Sequence, residues 1–182
     1  MLDINTLLTP DELDITQEEL DAFVKVHDYL ASTELPLAPG AMPKDVPLQD
    51  GMDTLIGFSM NYECRPVHST YRKFECGAVA CIGGHISLVL QGVDVLAGGM
   101  IHVTRAQADE AITYTDTARG DLHDLFFPSG AVADGKWGDV RASTAAIALR
   151  NFLTTGEANW VGALREGGQD DLLAMLAILN DE

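Results

Sequence analysis

Basic residues are scarce in this sequence. Its 182 residues include 11 lysines and arginines against 28 aspartates and glutamates, a formal net charge of −17. Residues 1–34 carry nine acids and one base, and residues 101–182 carry thirteen acids and six bases. Because binding through nucleic acid phosphates needs a basic face, the composition argues against direct nucleic acid binding. The acidity predicts either a surface that only keeps the protein soluble or one that binds a basic protein partner.

Long apolar runs and a basic, apolar N-terminal leader are also missing. A run of about eighteen apolar residues is needed to cross a membrane, so we expect no membrane association. The three cysteines are an odd number, which fits a reducing compartment, and a cytoplasmic protein is expected. The hydrophobic fraction of 47% is sufficient for one packed domain spanning residues 1–182.

The pattern of apolar residues predicts a mainly α-helical domain, a compact bundle with room for a short β hairpin near residues 54–60 or 86–96. Helices are expected over 20–30, 104–116, 141–153 and 172–179. Three segments have the capping-box pattern of a helix start, with the capping threonines at Thr9, Thr16 and Thr104. Residues 35–53 hold four of the seven prolines and predict a long loop or arm.

The segment Glu75–His85, "ECGAVACIGGH", concentrates the residues that could carry chemistry. Together with the apolar residues that follow, it predicts one buried central helix from Cys76 to Leu96. On such a helix Cys76 and Cys81 point in different directions, whereas Cys81 and His85 share a face. The paired glycines at 83 and 84 then indicate close contact between helices.

Two kinds of reactive site are candidates in and around this segment. Cys64, His68, Cys81 and His85 form a repeated Cys-x3-His pattern, and two Cys with two His are an adequate shell for zinc. Alternatively, Cys76 at a helix start would have a lowered thiol pKa and could act as a nucleophile with a histidine base such as His123 or His102. The structural alternative is that Cys81 packs in the core and His85 forms a hydrogen bond.

Other reactive motifs are lacking. Cys76 and Cys81 do not have the two-residue spacing of thiol oxidoreductases, and the glycines match neither a P-loop nor a dinucleotide fingerprint. His123 lies between Asp121 and Asp124, but the segment lacks the oxygen ligands of a calcium loop. Trp137 and Trp160 are expected to fill edges of the core, or else to anchor a partner.

The motif resembles the CGTxxCIAGH-like core of small uncharacterised proteins found in bacteriophages and bacteria. Two later segments resemble the same family in order, "VTRAQADEAI…LHDLFFP" and "STAAIALRNFLTTGEANW", so that the resemblance covers residues 74–160. Ala78 replaces the family's usual threonine, and an insertion precedes Leu122. The resemblance implies a compact, mainly helical core and a phage origin, and it supplies no catalytic residues.

Three classes of function remain open from the sequence. The first is a non-catalytic acidic interaction protein, a phage-encoded modulator or inhibitor of a host protein acting in the host cytoplasm. The second is an enzyme that uses Cys76 or a metal at Cys81 and His85. The third is a structural or virion-associated assembly protein, with the C-terminal apolar segment as its contact.

Overall fold

The computed structural model describes residues 2–32, 57–58, 60, 65–66, 76–94, 102–128, 130–133 and 136–174. This part of the chain is mainly α-helical, as the sequence predicts. Its helices are α1 (Pro10–Leu13), α2 (Gln17–Leu30), α3 (Ile82–Leu90), α4 (Arg105–Thr117), α5 (Gly120–Phe126), α6 (Ala142–Thr155) and α7 (Trp160–Glu166). Its strands are β1 (Gly57–Phe58), β2 (Arg65–Pro66), β3 (Cys76–Ala80) and β4 (His102–Val103). The predicted arm at 35–53 lies outside the described residues.

The three predicted capping boxes are all present. At the start of α2, the side chain of Thr16 accepts a hydrogen bond from the backbone N–H of Glu19, and the Glu19 carboxylate accepts one from the backbone N–H of Thr16 at 2.8 Å. The same reciprocal bonds begin α1 and α4. Each box satisfies two backbone donors that a helix start otherwise leaves open. The local sequence therefore determines where these helices begin.

The prediction of one helix from Cys76 to Leu96 is wrong at both ends. Cys76–Ala80 is strand β3, and α3 begins only at Ile82, with Cys81 as its extended N-cap residue. Pairing across the sheet outweighs the helical tendency of this alanine-containing segment, because Val79 is in register with a residue of β1 on one side and of β2 on the other. Cys81, rather than Cys76, stands at the helix start.

The C-terminal end of α3 is set by Gly92. Leu90 is the last helical residue, and Gly92 has the left-handed conformation, with φ of 78°. The N–H of Gly92 donates to the carbonyl of Val89, and that of Val93 donates to the carbonyl of Leu88, at 2.9 Å each. These two bonds form a Schellman motif, which stops the helix after nine residues.

The short strands form a small sheet centred on β3. β1 runs parallel to β3, whereas β2 and β4 pair with it antiparallel. Cys76 is in register with Val103 of β4, and Ala78 with Pro66 of β2. β1 thus lies within the predicted β position at 54–60, while residues 86–90 of the alternative position belong to α3.

The core is built around α3 and α2. All residues of α3 from Ile82 to Leu88 are buried, and the helix packs most extensively against α4 and α2. On α2, the fully buried ring of Phe23 lies 6.5 Å from that of Phe126 in α5 and 5.6 Å from that of Phe152 in α6, between ring centroids. α6 has its main contacts with α2 and α7. α2 is thus the principal partner of α6.

Gly83 confirms the expectation of close helix packing. A Cβ at this position would lie 2.8 Å from Oγ1 of Thr115 in α4 and 2.9 Å from Cδ2 of Phe126 in α5. Real Cβ atoms do not approach other heavy atoms this closely, so α4 and α5 can pack here only against a glycine. Gly83 therefore allows α3, α4 and α5 to pack closely against one another at this point.

The helix predicted over 172–179 is not found in the part that the structure describes. Leu172 ends a 3₁₀ turn, Asp170–Leu172, and Leu173 pairs antiparallel with Val132. Backbone hydrogen bonds from Ala133 to Leu172 and from Ala174 to Ala131 use the groups that a helix would need. Residues 175–182 lie outside the described residues. Among the helices that the structure describes, none has both the length and the apolar character to cross a membrane.

Candidate functional site

Cys81 and His85 share the first turn of α3, as their spacing predicts. His85 is fully buried, and its Nδ1 lies 2.9 Å from the backbone carbonyl oxygen of Cys81. Because a carbonyl only accepts, Nδ1 carries the proton and donates it. The imidazole ring packs against Tyr29 at 5.3 Å between centroids. The contacts of His85 thus fit the structural alternative, a hydrogen-bonded histidine in the core.

The other predicted zinc ligands, Cys64 and His68, lie outside the described residues. In the described ranges, no three or more histidines, cysteines, aspartates and glutamates are grouped so that they could hold a metal ion. The zinc site remains a prediction.

The proposed nucleophile and its base lie on different elements. Cys76 is the first residue of β3, so the helix start that was expected to activate it belongs to Cys81 instead, whose side chain is 2% exposed. His123 lies on α5 with about half of its side chain exposed, and its Nδ1 is 3.5 Å from the Asp124 carboxylate. Its ring lies next to that of Phe127 in a tilted arrangement, with 35° between the two planes. Nothing about the side chain of Cys76 is described.

A cleft lies between α5 and the start of α7 in the described part of the chain. Its volume is about 410 Å³, within the usual range of roughly 300–1,000 Å³ for ligand pockets. Asp121 and Asp124 line it from α5, and Glu157 lines it from the connection between α6 and α7. The aromatic residues Phe127 and Trp160 complete the walls.

Local backbone geometry explains how the two walls meet. Gly156 ends α6 in the left-handed conformation, with φ of 83°. Asn159 is also left-handed, with φ of 42°, and caps the start of α7, because its side chain accepts a hydrogen bond from the backbone N–H of Gly162. These two residues lie in the four-residue connection between α6 and α7. They bring Glu157 and Trp160 to the side of α5.

Trp160 fastens the start of α7 to the end of α5. Its indole N–H donates to the carbonyl oxygens of Asp124 and Leu125, at 3.0 and 3.2 Å. The side chain is buried, which confirms the expectation that Trp160 fills an edge of the core. One residue therefore packs against the core and also forms a rigid wall of the cleft.

The charge of the cleft is negative on both sides. Asp121 and Asp124 are three residues apart on α5 and so lie on the same helix face. Glu157 faces them, and the described residues that line the cleft include neither lysine nor arginine. Within the described part of the chain, Asp121 and Glu157 have no ion-pair partner. On α6, Arg150 donates to both carboxylate oxygens of Glu166, at 3.0 and 2.7 Å.

A row of three rings extends from the cleft across the surface. The His123 ring lies 4.9 Å from that of Phe127, and the Phe127 ring lies 6.3 Å from that of Trp137, between centroids. Phe127 and Trp137 are partly buried against the core. The row therefore presents fixed, partly accessible aromatic surface beside the carboxylates.

Sequence reasoning identified both halves of this cleft without joining them. Asp121, His123 and Asp124 were considered as a cation site, and Trp160 as a core residue or an anchor. The residue that the sequence analysis did not identify is Glu157. It is 33 residues beyond Asp124 in the chain and is separated from it by α6. The signal in the sequence is the pair Gly156 and Asn159 on either side of Glu157, since both are residue types that adopt left-handed backbone.

Comparisons of the chain with models of protein families, with curated proteins and with solved structures gave no match.

Proposed function

We propose that this protein is a non-catalytic interaction protein that binds a basic surface of a partner protein. The observation that carries the proposal is the cleft between α5 and α7, in which Asp121, Asp124 and Glu157 face a common space with no basic residue among the described lining residues. Carboxylates that line one cleft repel each other, and a cationic group between them relieves that repulsion.

The composition of the whole chain supports the same conclusion. With a net charge of −17, the protein attracts basic partners over a distance of about one Debye length, roughly 8–10 Å at physiological salt. Such steering accelerates association with a basic protein and disfavours approach to nucleic acid. The resemblance to phage proteins extends the proposal to its finer form, in which the partner is a host protein that is modulated or inhibited in the host cytoplasm.

Affinity capture with a local charge control tests the proposal. The full chain is immobilised in three forms: wild type, the cleft variant Asp121→Asn/Asp124→Asn/Glu157→Gln, and a control variant with three exposed acids neutralised elsewhere. The control carries Glu110→Gln, Asp116→Asn and Asp171→Asn, so that the total charge of the two variants is the same. Each form is incubated with a lysate of host cells, and the basic proteins that it retains are identified by mass spectrometry.

We expect a stoichiometric, basic protein to be retained by the wild type and the control and largely lost from the cleft variant. Thermal unfolding of the three forms establishes that each is folded. Retention of no basic partner by the wild type at low salt contradicts the proposal. Equal loss from both variants would attribute binding to overall charge and would contradict a role for the cleft.

A further inference from the structure

We infer that the cleft receives an arginine side chain from an extended basic segment of the partner, with the ring row His123–Phe127–Trp137 contacting an apolar residue beside that arginine. This inference rests on the proposed function and specifies its chemistry. Three features of the cleft carry it: the disposition of the carboxylates, the aromatic walls, and the size of the cation that fits.

The carboxylates suit a planar group with several donors. A guanidinium has five N–H donors in a fixed fork, whereas an ammonium is a compact point charge. Asp121 and Asp124 line the cleft from α5 and Glu157 lines it from the α6–α7 connection, so acceptors are available from two elements. An arginine can use donors on both edges at once, and a lysine cannot.

The aromatic walls favour the same group. Trp160 is held in place by two hydrogen bonds to α5, and Phe127 is fixed between the rings of His123 and Trp137. A guanidinium stacks on aromatic faces and is more weakly hydrated than an ammonium, so it enters such a site at a lower cost of desolvation. Rings that are already held in place lose little conformational entropy on binding.

The cleft suits a larger cation better than a metal ion. Although all three carboxylates belong to the described part of the chain, they are not grouped so that they could jointly hold a metal ion. A volume of about 410 Å³ instead leaves room for a whole side chain and part of its backbone. Asp121, Asp124 and Glu157 are exposed, so a side chain that projects from another protein surface can reach them.

The indole N–H signals of the two tryptophans provide a local assay. Trp160 forms a wall of the cleft, and Trp137 is the last ring of the row, so a nuclear magnetic resonance titration reports on both parts of the surface. The full chain is labelled with ¹⁵N, and the signals are assigned with a Trp137→Phe variant. The probes are acetylated, amidated tetrapeptides Ser-Xaa-Leu-Ser, in which Xaa is arginine, lysine or uncharged citrulline.

We expect the arginine peptide to shift the Trp160 signal saturably and to bind about two- to fivefold more tightly than the lysine peptide, from the stacking term. Citrulline should produce no saturable shift. The cleft variant Asp121→Asn/Asp124→Asn/Glu157→Gln should bind arginine about tenfold more weakly, since each exposed charge pair contributes about 0.2–1 kcal/mol. The equally charged control variant should stay within about threefold of the wild type.

Equal affinities for arginine and lysine, or equal weakening in both variants, would overturn the inference, because either result describes diffuse attraction by an acidic surface. Its failure is distinguishable from that of the proposed function. If the capture experiment finds a cleft-dependent basic partner while the arginine peptide leaves Trp160 unaffected, the function stands and the arginine site does not. If neither experiment responds to the cleft variant, both proposals fall.

Discussion

Replacement of Gly83 by alanine sets two opposing effects against each other at one buried position. In a helix, alanine is favoured over glycine by at most about 1 kcal/mol, and Gly83 is the second residue of α3, where the gain is smaller than in the interior. If helix propensity dominated, the variant would be more stable than the wild type. The packing of α4 and α5 against this position predicts the opposite.

The packing penalty follows from which atoms would be displaced. The new methyl group would lie 2.8–3.0 Å from the Thr115 side chain and 2.9 Å from the Phe126 ring. Neither neighbour can yield easily. Thr115 is fully buried, and its hydroxyl donates to the Ala111 carbonyl at 2.9 Å. The Phe126 ring packs between those of Phe23 and Tyr114. Inserting a methyl group into such a core costs about 1–3 kcal/mol.

We therefore expect Gly83→Ala to lower the free energy of unfolding by about 1–2 kcal/mol, the packing cost less the smaller helix gain. Urea unfolding followed by circular dichroism in reducing buffer measures it as a lower midpoint at an unchanged m-value. Ser143→Ala is a matched control, because Ser143 is the exposed second residue of α6 and its substitution should be neutral or slightly stabilising.

A double-mutant cycle separates the clash from other causes. Thr115→Ala removes two of the three contacts with the new methyl group, so Gly83→Ala should cost about 1 kcal/mol less in the Thr115→Ala background than in the wild type. A higher urea midpoint for Gly83→Ala, or strict additivity in the cycle, would refute the reasoning. Either result would mean that α3 moves away from α4 and α5 at little cost.

Two further side chains give predictions of opposite sign. Gln169 is buried; its Oε1 accepts from the Thr144 hydroxyl at 2.6 Å and the Arg141 N–H at 3.0 Å, and its Nε2 donates to the Asp139 carbonyl at 2.9 Å. Gln169→Met should therefore cost about 3 kcal/mol in urea unfolding, about 1 kcal/mol for each bond, and a loss below about 1 kcal/mol would contradict this. The Tyr29 hydroxyl is buried without a hydrogen-bond partner among the described residues, so Tyr29→Phe should be neutral or stabilise by about 1 kcal/mol, and clear destabilisation would contradict it. Burial raises the pKa of Tyr29 to about 12, above its value of about 10 in the unfolded chain. Because the folded form holds this proton more tightly, the wild type should lose stability as the pH rises from 10 to 12. Tyr29→Phe should lose less stability over the same range.

Helix starts and ends were predictable where a few adjacent residues determine them. The reciprocal bonds at Thr16 and Glu19 form within one turn, and Gly156 ends α6 as a left-handed cap. Gly92 is the corresponding left-handed residue after α3, but the predicted helix continues past it to Leu96. Attention to glycine after the last periodic residue would have placed that end correctly.

The strand at Cys76–Ala80 could not be predicted in the same way. Its five residues contain alanine, glycine and one valine, which favour neither state strongly. What decides is pairing with residues 57–58, 65–66 and 102–103, which are between about ten and about twenty-five residues away along the chain. Information of that kind is not contained in a local window. The consequence for chemistry is direct, since the helix start moves from Cys76 to Cys81.

The motif and the cleft are connected through α5, which links the motif to the proposed binding site. Gly83 sets how closely α5 approaches α3 by its contact with Phe126, and the next residue, Phe127, is a wall of the cleft. The other wall is tied to the same helix by Trp160. A cleft built on one short helix can keep its shape only if that helix is held rigidly from behind. The close contact at Gly83 contributes to this support. In this way the segment Glu75–His85 helps to position the carboxylates of α5.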